Sequence, residues 1–333
     1  MTFEKILRDL KNKNYSPVYF LTGDEPYYID QITNYITDNI LSDSEKTFNQ
    51  VILYGKDTDI PEIINSAKRF PMMSKYQVVV VREAQNLDNI DDLTYYTDHP
   101  LKSTILVINY KYNKLDKRLK LYKSVNDNGI FFESKKLYEN KVGEWIYSFL
   151  DDRGYKIEPS ASALLIEYLG NDLSKIANEL EKLIISLDDR VKTINPTVIE
   201  NNIGISKDFN NFELQKALIE KDSLKANRII NYFDKNQKNN PITLTITSLY
   251  YFFTRILSYH SLKDKSSKKV ASVLKISPFF VSEYQAAARV YSPGKVEQVI
   301  SILREYDLKS KGVGNLTSSP GDLLKELIYK ILH

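Results

Sequence analysis

The sequence predicts an α/β N-terminal domain, built on a mostly parallel sheet with a degenerate phosphate loop, followed by two all-helical domains. Three observations carry this reading. Strand-like and helix-like segments alternate over the first 135 residues, the pattern of a sheet crossed by helices. No convincing strand follows Glu133. Gly23-Asp24-Glu25 stands between a strand and a helix, where a nucleotide-binding protein places its phosphate loop. The expected divisions are 1–135, 136–205 and 206–333.

The strand candidates are Val18–Thr22, Val51–Leu53, Val78–Val81, Thr104–Ile108 and Ile130–Phe132. They are short, rich in β-branched and aromatic residues, and apolar on both faces, as strands sandwiched between helices are. Helices are expected over Pro26–Asn39, Ile60–Lys68, Ile90–Thr97 and Lys114–Val125. Pro26 suits a first helical turn, where its missing N–H costs nothing. Past Glu133, helices are expected over Asn140–Asp152, Ser160–Leu169 and Asp172–Leu187. In the last, Leu173, Ile176, Ala177, Leu180, Leu183, Ile184 and Leu187 share one face. Asn171 or Asp172 can cap its start, and Gly170 can end the helix before it. Four later helices are announced by a capping residue and a proline: Asn240-Pro241, Ser277-Pro278, Ser292-Pro293 and Ser319-Pro320. The final helix carries Leu323, Leu324, Leu327, Ile328, Ile331 and Leu332 on one stripe, and the polar stretch Lys263–Lys269 links two helices.

A chain of 333 residues exceeds one ordinary core and implies two or three domains, at roughly 100–200 residues each. With 42% hydrophobic and 27% charged residues, it can fill a core. A net charge of +3 is too mild to indicate nucleic-acid binding, which needs a local patch. The absence of Cys excludes structural disulfides and Cys-ligated zinc. His99, His260 and His333 lie far apart and form no spaced metal pair. No metal is therefore expected. No basic-plus-apolar leader opens the chain, and no apolar run reaches about 18 residues; a cytoplasmic protein with no membrane partner is expected.

A working phosphate loop converges backbone N–H groups, a helix N-terminus, a Lys and a Mg²⁺-binding Ser/Thr on phosphates. Here Gly23 is followed by two carboxylates, Asp24 and Glu25. They suit a helix N-terminus as capping charges and repel a triphosphate. No Gly-Lys-Ser/Thr triplet exists: Gly55-Lys56 precedes Asp57, and Gly294-Lys295 precedes Val296. The Val78–Val81 strand runs into Arg82-Glu83, placing an arginine where a metal-facing carboxylate is wanted. There is also no nucleophile elbow, His-Glu-x-x-His or Cys-His pair. Asp91-Asp92 and Asp151-Asp152 read as solvated charge. No catalytic residue and no cofactor is expected.

Several segments together resemble one family. They are PVYFLTGDEP at Pro17–Pro26, FPMMSKYQVVVV at Phe70–Val81, LDKRLKLYK at Leu115–Lys123, LGNDLSKIANELEKL at Leu169–Leu183, NFELQKA at Asn211–Ala217 and DLKSK at Asp307–Lys311. In this order they resemble the delta-subunit family of bacterial DNA polymerase III. The resemblance implies an AAA+-like first domain, a small helical lid domain and a helical collar domain. It implies a non-catalytic clamp-loader subunit that binds and opens the sliding clamp for loading onto primed DNA. The implied partners are the sliding clamp (beta subunit), the tau/gamma and delta-prime subunits, and primed DNA within the assembled complex. The sister subunits carry a Cys-containing zinc module, so a chain without Cys fits delta better.

The resemblance places clamp binding on Pro71, Met72 and Met73, in the loop Phe70–Ser74. Two adjacent methionines on a proline-braced loop are soft, adaptable side chains suited to a partner's apolar pocket. Relatives often carry Leu and Phe here. Phe70 is expected to pack inward. DNA-backbone contacts are expected from Lys111, Lys114, Lys117 and Arg118, within a basic stretch running to Lys123, from Lys263–Lys269, and from Lys309 and Lys311 in a turn near the collar. Lysines and arginines there would neutralise phosphates without reading bases. Two alternatives stay open: a divergent ATPase, and a stand-alone DNA-binding helical protein.

Overall fold

The computed structural model describes residues 1–188, 190–203, 206, 208–314 and 318–333, and for residue 139 the backbone alone. The chain divides into two compact units, Met1–Leu137 and Tyr138–His333.

The first unit is α/β. Its helices are α1 (Phe3–Lys11), α2 (Pro26–Asn39), α3 (Asp43–Asn49), α4 (Ile60–Ala67), α5 (Thr94–Thr97) and α6 (Lys120–Asn128). Its strands are β1 (Val18–Gly23), β2 (Gln50–Tyr54), β3 (Gln77–Arg82), β4 (Thr104–Lys111) and β5 (Ile130–Ser134). All five expected strands form, and they pair in parallel in the order β2-β3-β4-β1-β5. Alternation within each apolar run divides the side chains between two cores. Val18, Phe20, Val79, Val81, Leu106 and Ile108 face one layer with Ile63, Leu93 and Leu121. Tyr19, Leu21, Val78, Val80, Ile105 and Val107 face the other with Ile6, Ile29, Ile32 and Ile36. This is the α/β sheet the resemblance implies. The chain leaves β1 for β2 at one edge, whereas it leaves the neighbouring β4 in the opposite direction, for β5 at the other edge. The C-terminal end of β1 is thus a topological switch point, where open α/β sheets place ligands.

Three local expectations are corrected. α1 and α3 form although neither was anticipated. The helix expected over Lys114–Val125 instead begins at Lys120. Asp116 interrupts it: its carboxylate accepts the backbone N–H of Arg118 at 2.9 Å and pairs with the Arg118 guanidinium at 2.6 Å. An aspartate binding its own backbone two residues on favours a turn over a helix.

The second unit is largely helical. Its helices are α7 (Glu139–Asp151), α8 (Pro159–Leu169), α9 (Leu173–Ser186), α10 (Pro196–Ile203), α11 (Asn211–Glu220), α12 (Ser223–Lys235), α13 (Ile242–His260), α14 (Ser267–Leu274), α15 (Val281–Val290), α16 (Pro293–Ser310) and α17 (Pro320–Leu332). Gly170 ends α8 with φ +69°, and the Asp172 carboxylate caps α9 by accepting from Lys175 N at 3.1 Å. Ser292 and Ser319 cap α16 and α17 with Pro at the first helical position, as anticipated. The α17 stripe is buried in a core with Leu249, Phe253 and Ile256 of α13. Contrary to expectation, two strands do follow Glu133. β6 (Lys156–Ile157) and β7 (Thr193–Ile194) make a short parallel pair. At two residues each they give no periodic signal to read.

Within this unit, Glu167 of α8 accepts the backbone N–H of Asn211 at the start of α11, at 2.9 Å. Burial pushes its carboxyl up to about 7, against hydrogen bonds from Asn211 and Phe212 that pull it down. The folded state therefore holds this proton well above the pH at which the unfolded chain releases it. Stability from this group is greatest at acid pH and is lost as pH rises toward about 7. Glu167→Gln should match the wild type near pH 5 and exceed it at pH 8 by about 1–3 kcal/mol, measured by urea unfolding at both pH values.

Candidate functional site

The first candidate is the β1–α2 loop at the switch point. Gly23 has φ +123°, a conformation only glycine adopts freely. It approaches β5 so closely that a Cβ there would lie 2.0 Å from Ser134 O. The loop's donors are already engaged. Gly23 N donates to Asn113 O at 3.2 Å and Asp24 N to Ser134 O at 3.2 Å. Glu25 N donates to Ser134 Oγ at 3.3 Å. Pro26 has no N–H, and Tyr27 N donates to the Glu25 carboxylate at 3.2 Å. Glu25 is buried and serves as the N-cap of α2. Asp24 faces Lys114 at 3.7 Å. A phosphate needs those N–H groups unpaired and pointing outward. Here β5, the 113 carbonyl and a carboxylate occupy them.

The second candidate is the loop from α4 to β3. Its ends are fixed. The Gln77 amide, buried beneath α4, donates to the last-turn carbonyls of Ser66 and Ala67 at 2.9 and 3.2 Å and to Thr104 Oγ1 at 3.0 Å. Met73 is fully exposed, Met72 is 56% exposed and Phe70 is 78% exposed. Phe70 therefore does not pack inward. The space beneath the end of α4 is taken by the Gln77 amide, which satisfies carbonyls the helix leaves open. Three large apolar side chains within four residues of one loop, each more than half exposed, form an apolar surface. Sequence reasoning missed Phe48, 64% exposed on α3. Its neighbour Asn49 bonds the Met72 backbone, which brings the end of α3 beside this loop. The capping-box pattern Ser42–Glu45 was the signal for α3.

The basic residues are the third candidate. Lys111 pairs with Asp30 at 2.6 Å. Lys114 lies 3.8 Å and Lys117 3.5 Å from Glu133, and Arg118 pairs with Asp116 at 2.6 Å. Lys309 is not in a turn but in the last turn of α16, while Lys311, its C-cap, opens the turn that follows; they pair with Glu305 and Asp307 one helical turn back, both at 2.7 Å. All six are thus matched by carboxylates. The stretch 263–269 differs: it is exposed throughout and sets four lysines against Asp264 alone. Among the described residues no cluster of His, Cys, Asp and Glu could hold a metal, and no helix is long and apolar enough to cross a membrane.

Comparison with known proteins bears on the whole chain. Residues 19–135 match the family model for the DNA polymerase III delta subunit, and residues 208–317 match that for the delta subunit's C-terminal domain. The DNA polymerase III subunit delta of Bacillus subtilis (strain 168) is 24% identical over 323 residues, covering 93% of this chain and 92% of the relative. A solved structure of the Bacillus subtilis DNA clamp loader delta protein (YqeN) superposes with a TM-score of 0.57, at 22% identity and over 99% of both chains. The two family models together cover about two thirds of the sequence, and the chain belongs to the DNA polymerase III delta subunit family.

Proposed function

We propose that this chain is a non-catalytic clamp-loader subunit that binds the bacterial sliding clamp through Met72 and Met73 and favours its open form for loading onto primed DNA. The observation that carries the reading is the pairing of a loop of uncovered apolar side chains with a phosphate loop whose donors are used internally. Fuel would be consumed by the tau/gamma neighbours, with delta-prime completing the ring. The chain contributes binding energy only. Burying both methionines in a partner contributes about 3–6 kcal/mol before ordering costs. Opening follows if the loop prefers the strained, open clamp over the closed one.

In this reading the helical region works as a lid over 136–205 and a collar over 206–333, the collar joining the ring of subunits. Pro71 fixes the approach of the chain to Met72. Of the basic candidates, the unmatched stretch Lys263–Lys269 is better suited to contact DNA phosphates than Lys111, Lys114, Lys117, Arg118, Lys309 and Lys311, which must first leave their carboxylates. The protein works in the cytoplasm, with the replication machinery.

Two measurements on the isolated chain test this. With no nucleotide present, it should co-elute with a bacterial sliding clamp in size-exclusion chromatography. A fluorescent ATP analogue should show no saturable binding. Micromolar saturable binding would instead favour a divergent ATPase, and failure to bind the clamp would remove the assignment.

A further inference from the structure

The apolar loop is held by a part of the chain remote in sequence. Asn49, the last residue of α3, is 2% exposed. Its Oδ1 accepts the backbone N–H of Met72 at 2.6 Å, while its Nδ2 donates to the Met72 carbonyl at 2.9 Å and to the Glu45 carbonyl at 3.1 Å. One carboxamide thus pairs with both backbone groups of a single residue, as a neighbouring strand would. Only a side chain with a donor and an acceptor on one short planar group can do this. On the other side of Met73, the Ser74 side chain faces Glu45, which is fixed by the capping box with Ser42, and helps hold its carboxyl below the usual carboxylate range.

Next to this bracket Met73 has φ +53°. That left-handed conformation costs a non-glycine residue about 1–2 kcal/mol. The Met73 side chain is fully exposed, so no packing within the subunit offsets the cost. The two bonds from Asn49 to the Met72 backbone adjoin the bend and hold its approach. Strain held at an exposed binding element by surrounding bonds is a form of preorganisation.

We infer that Asn49 is a positioning residue for partner binding: through α3 it holds Met72 and Met73 in the shape the clamp receives. This rests on the clamp-binding reading above. A loop ordered in advance spends less of its contact energy on ordering when it binds. Loosening the bracket should therefore lower affinity although Asn49 touches no partner.

The test uses the full chain. In the wild type the Met72 amide should be protected from hydrogen exchange; Asn49→Ala should lose that protection while the thermal unfolding transition stays cooperative. Clamp affinity should fall about tenfold. Asn49→Asp keeps the acceptor for Met72 N–H but sets a carboxylate oxygen against the Met72 carbonyl, and should also bind more weakly. In a Met72→Ala, Met73→Ala background, Asn49→Ala should cost nothing further, since its effect passes through those side chains. An equal loss in both backgrounds, or wild-type affinity with the Met72 amide freed, overturns the inference. So does an unchanged Met72 amide in Asn49→Ala. If the wild type itself does not bind the clamp, the functional reading fails and the positioning role falls with it, while the exchange result still decides whether Asn49 holds the loop.

Discussion

Replacing Met72 and Met73 together by alanine is expected to weaken clamp binding at least about tenfold, or 1.4 kcal/mol, without unfolding the protein. The lower bound is set conservatively. Full burial of two methionines contributes about 3–6 kcal/mol, from which ordering and desolvation costs are subtracted. The fold is expected to survive because neither side chain lies in a core: Met73 is fully exposed and Met72 more than half so. The backbone bonds of Met72 to Asn49 do not depend on the side chain. Surface-binding measurements against an immobilised clamp, with circular dichroism as the folding control, decide the matter. Wild-type affinity in the double variant would remove these residues from the interface.

The second large effect lies at the degenerate phosphate loop. Gly23→Ala should cost about 3–5 kcal/mol or prevent folding. Two independent causes act together. The backbone at φ +123° is closed to a residue with a Cβ. That Cβ would also sit 2.0 Å from the Ser134 carbonyl oxygen and 2.6 Å from its hydroxyl. Neither can retreat easily, because Ser134 ends a strand paired to β1 and accepts the Asp24 N–H. Asp24→Ala, by contrast, loses only a 3.7 Å surface pairing with Lys114 and should change stability by less than about 1 kcal/mol. Urea unfolding of the two variants gives the contrast directly. A Gly23→Ala protein within about 1 kcal/mol of wild type would mean the loop is not closed onto β5 as described.

The parts of the fold that were legible in sequence are those with dense, repeated signals. Val78–Val81 and its partner strands are β-branched and apolar on both faces, so their place inside a parallel sheet could be read directly. Pro26 marked the start of α2 to the residue, and Asp172, Ser292 and Ser319 marked three other starts. What was missed is short or remote. α1 buries only Ile6 and Leu10, too few positions to establish a period. α3 carried a legible capping box on a helix of 7 residues with no apolar face. The turn at Asp116 overrode a helical pattern that ran on from Leu115.

At the candidate site the missing phosphate-binding residues were plain, since Asp24 and Glu25 stand where a lysine and a hydroxyl would be needed. Their consequence was not: that Asn113, Ser134 and Glu25 use up the loop's N–H groups depends on chain crossings no local window contains. The methionine loop came from the resemblance, and its exposure from the structure. Phe70, expected inward, is 78% exposed, and no local pattern marks that exposure: the Gln77 amide lies beneath α4 instead. The Asn49 bracket acts over 23 residues and left no sequence pattern.

Under the proposed function the chain would open a clamp by apolar contact alone, with nucleotide chemistry left to its neighbours. A closed ring cannot leave a closed circle of DNA. The most direct measurement therefore loads a labelled clamp onto circular DNA and follows its release by the isolated chain without ATP. Release should be faster with the wild type, and should run at the spontaneous rate with the Met72→Ala, Met73→Ala variant. Release that requires ATP on this chain, or equal release by both proteins, would contradict it.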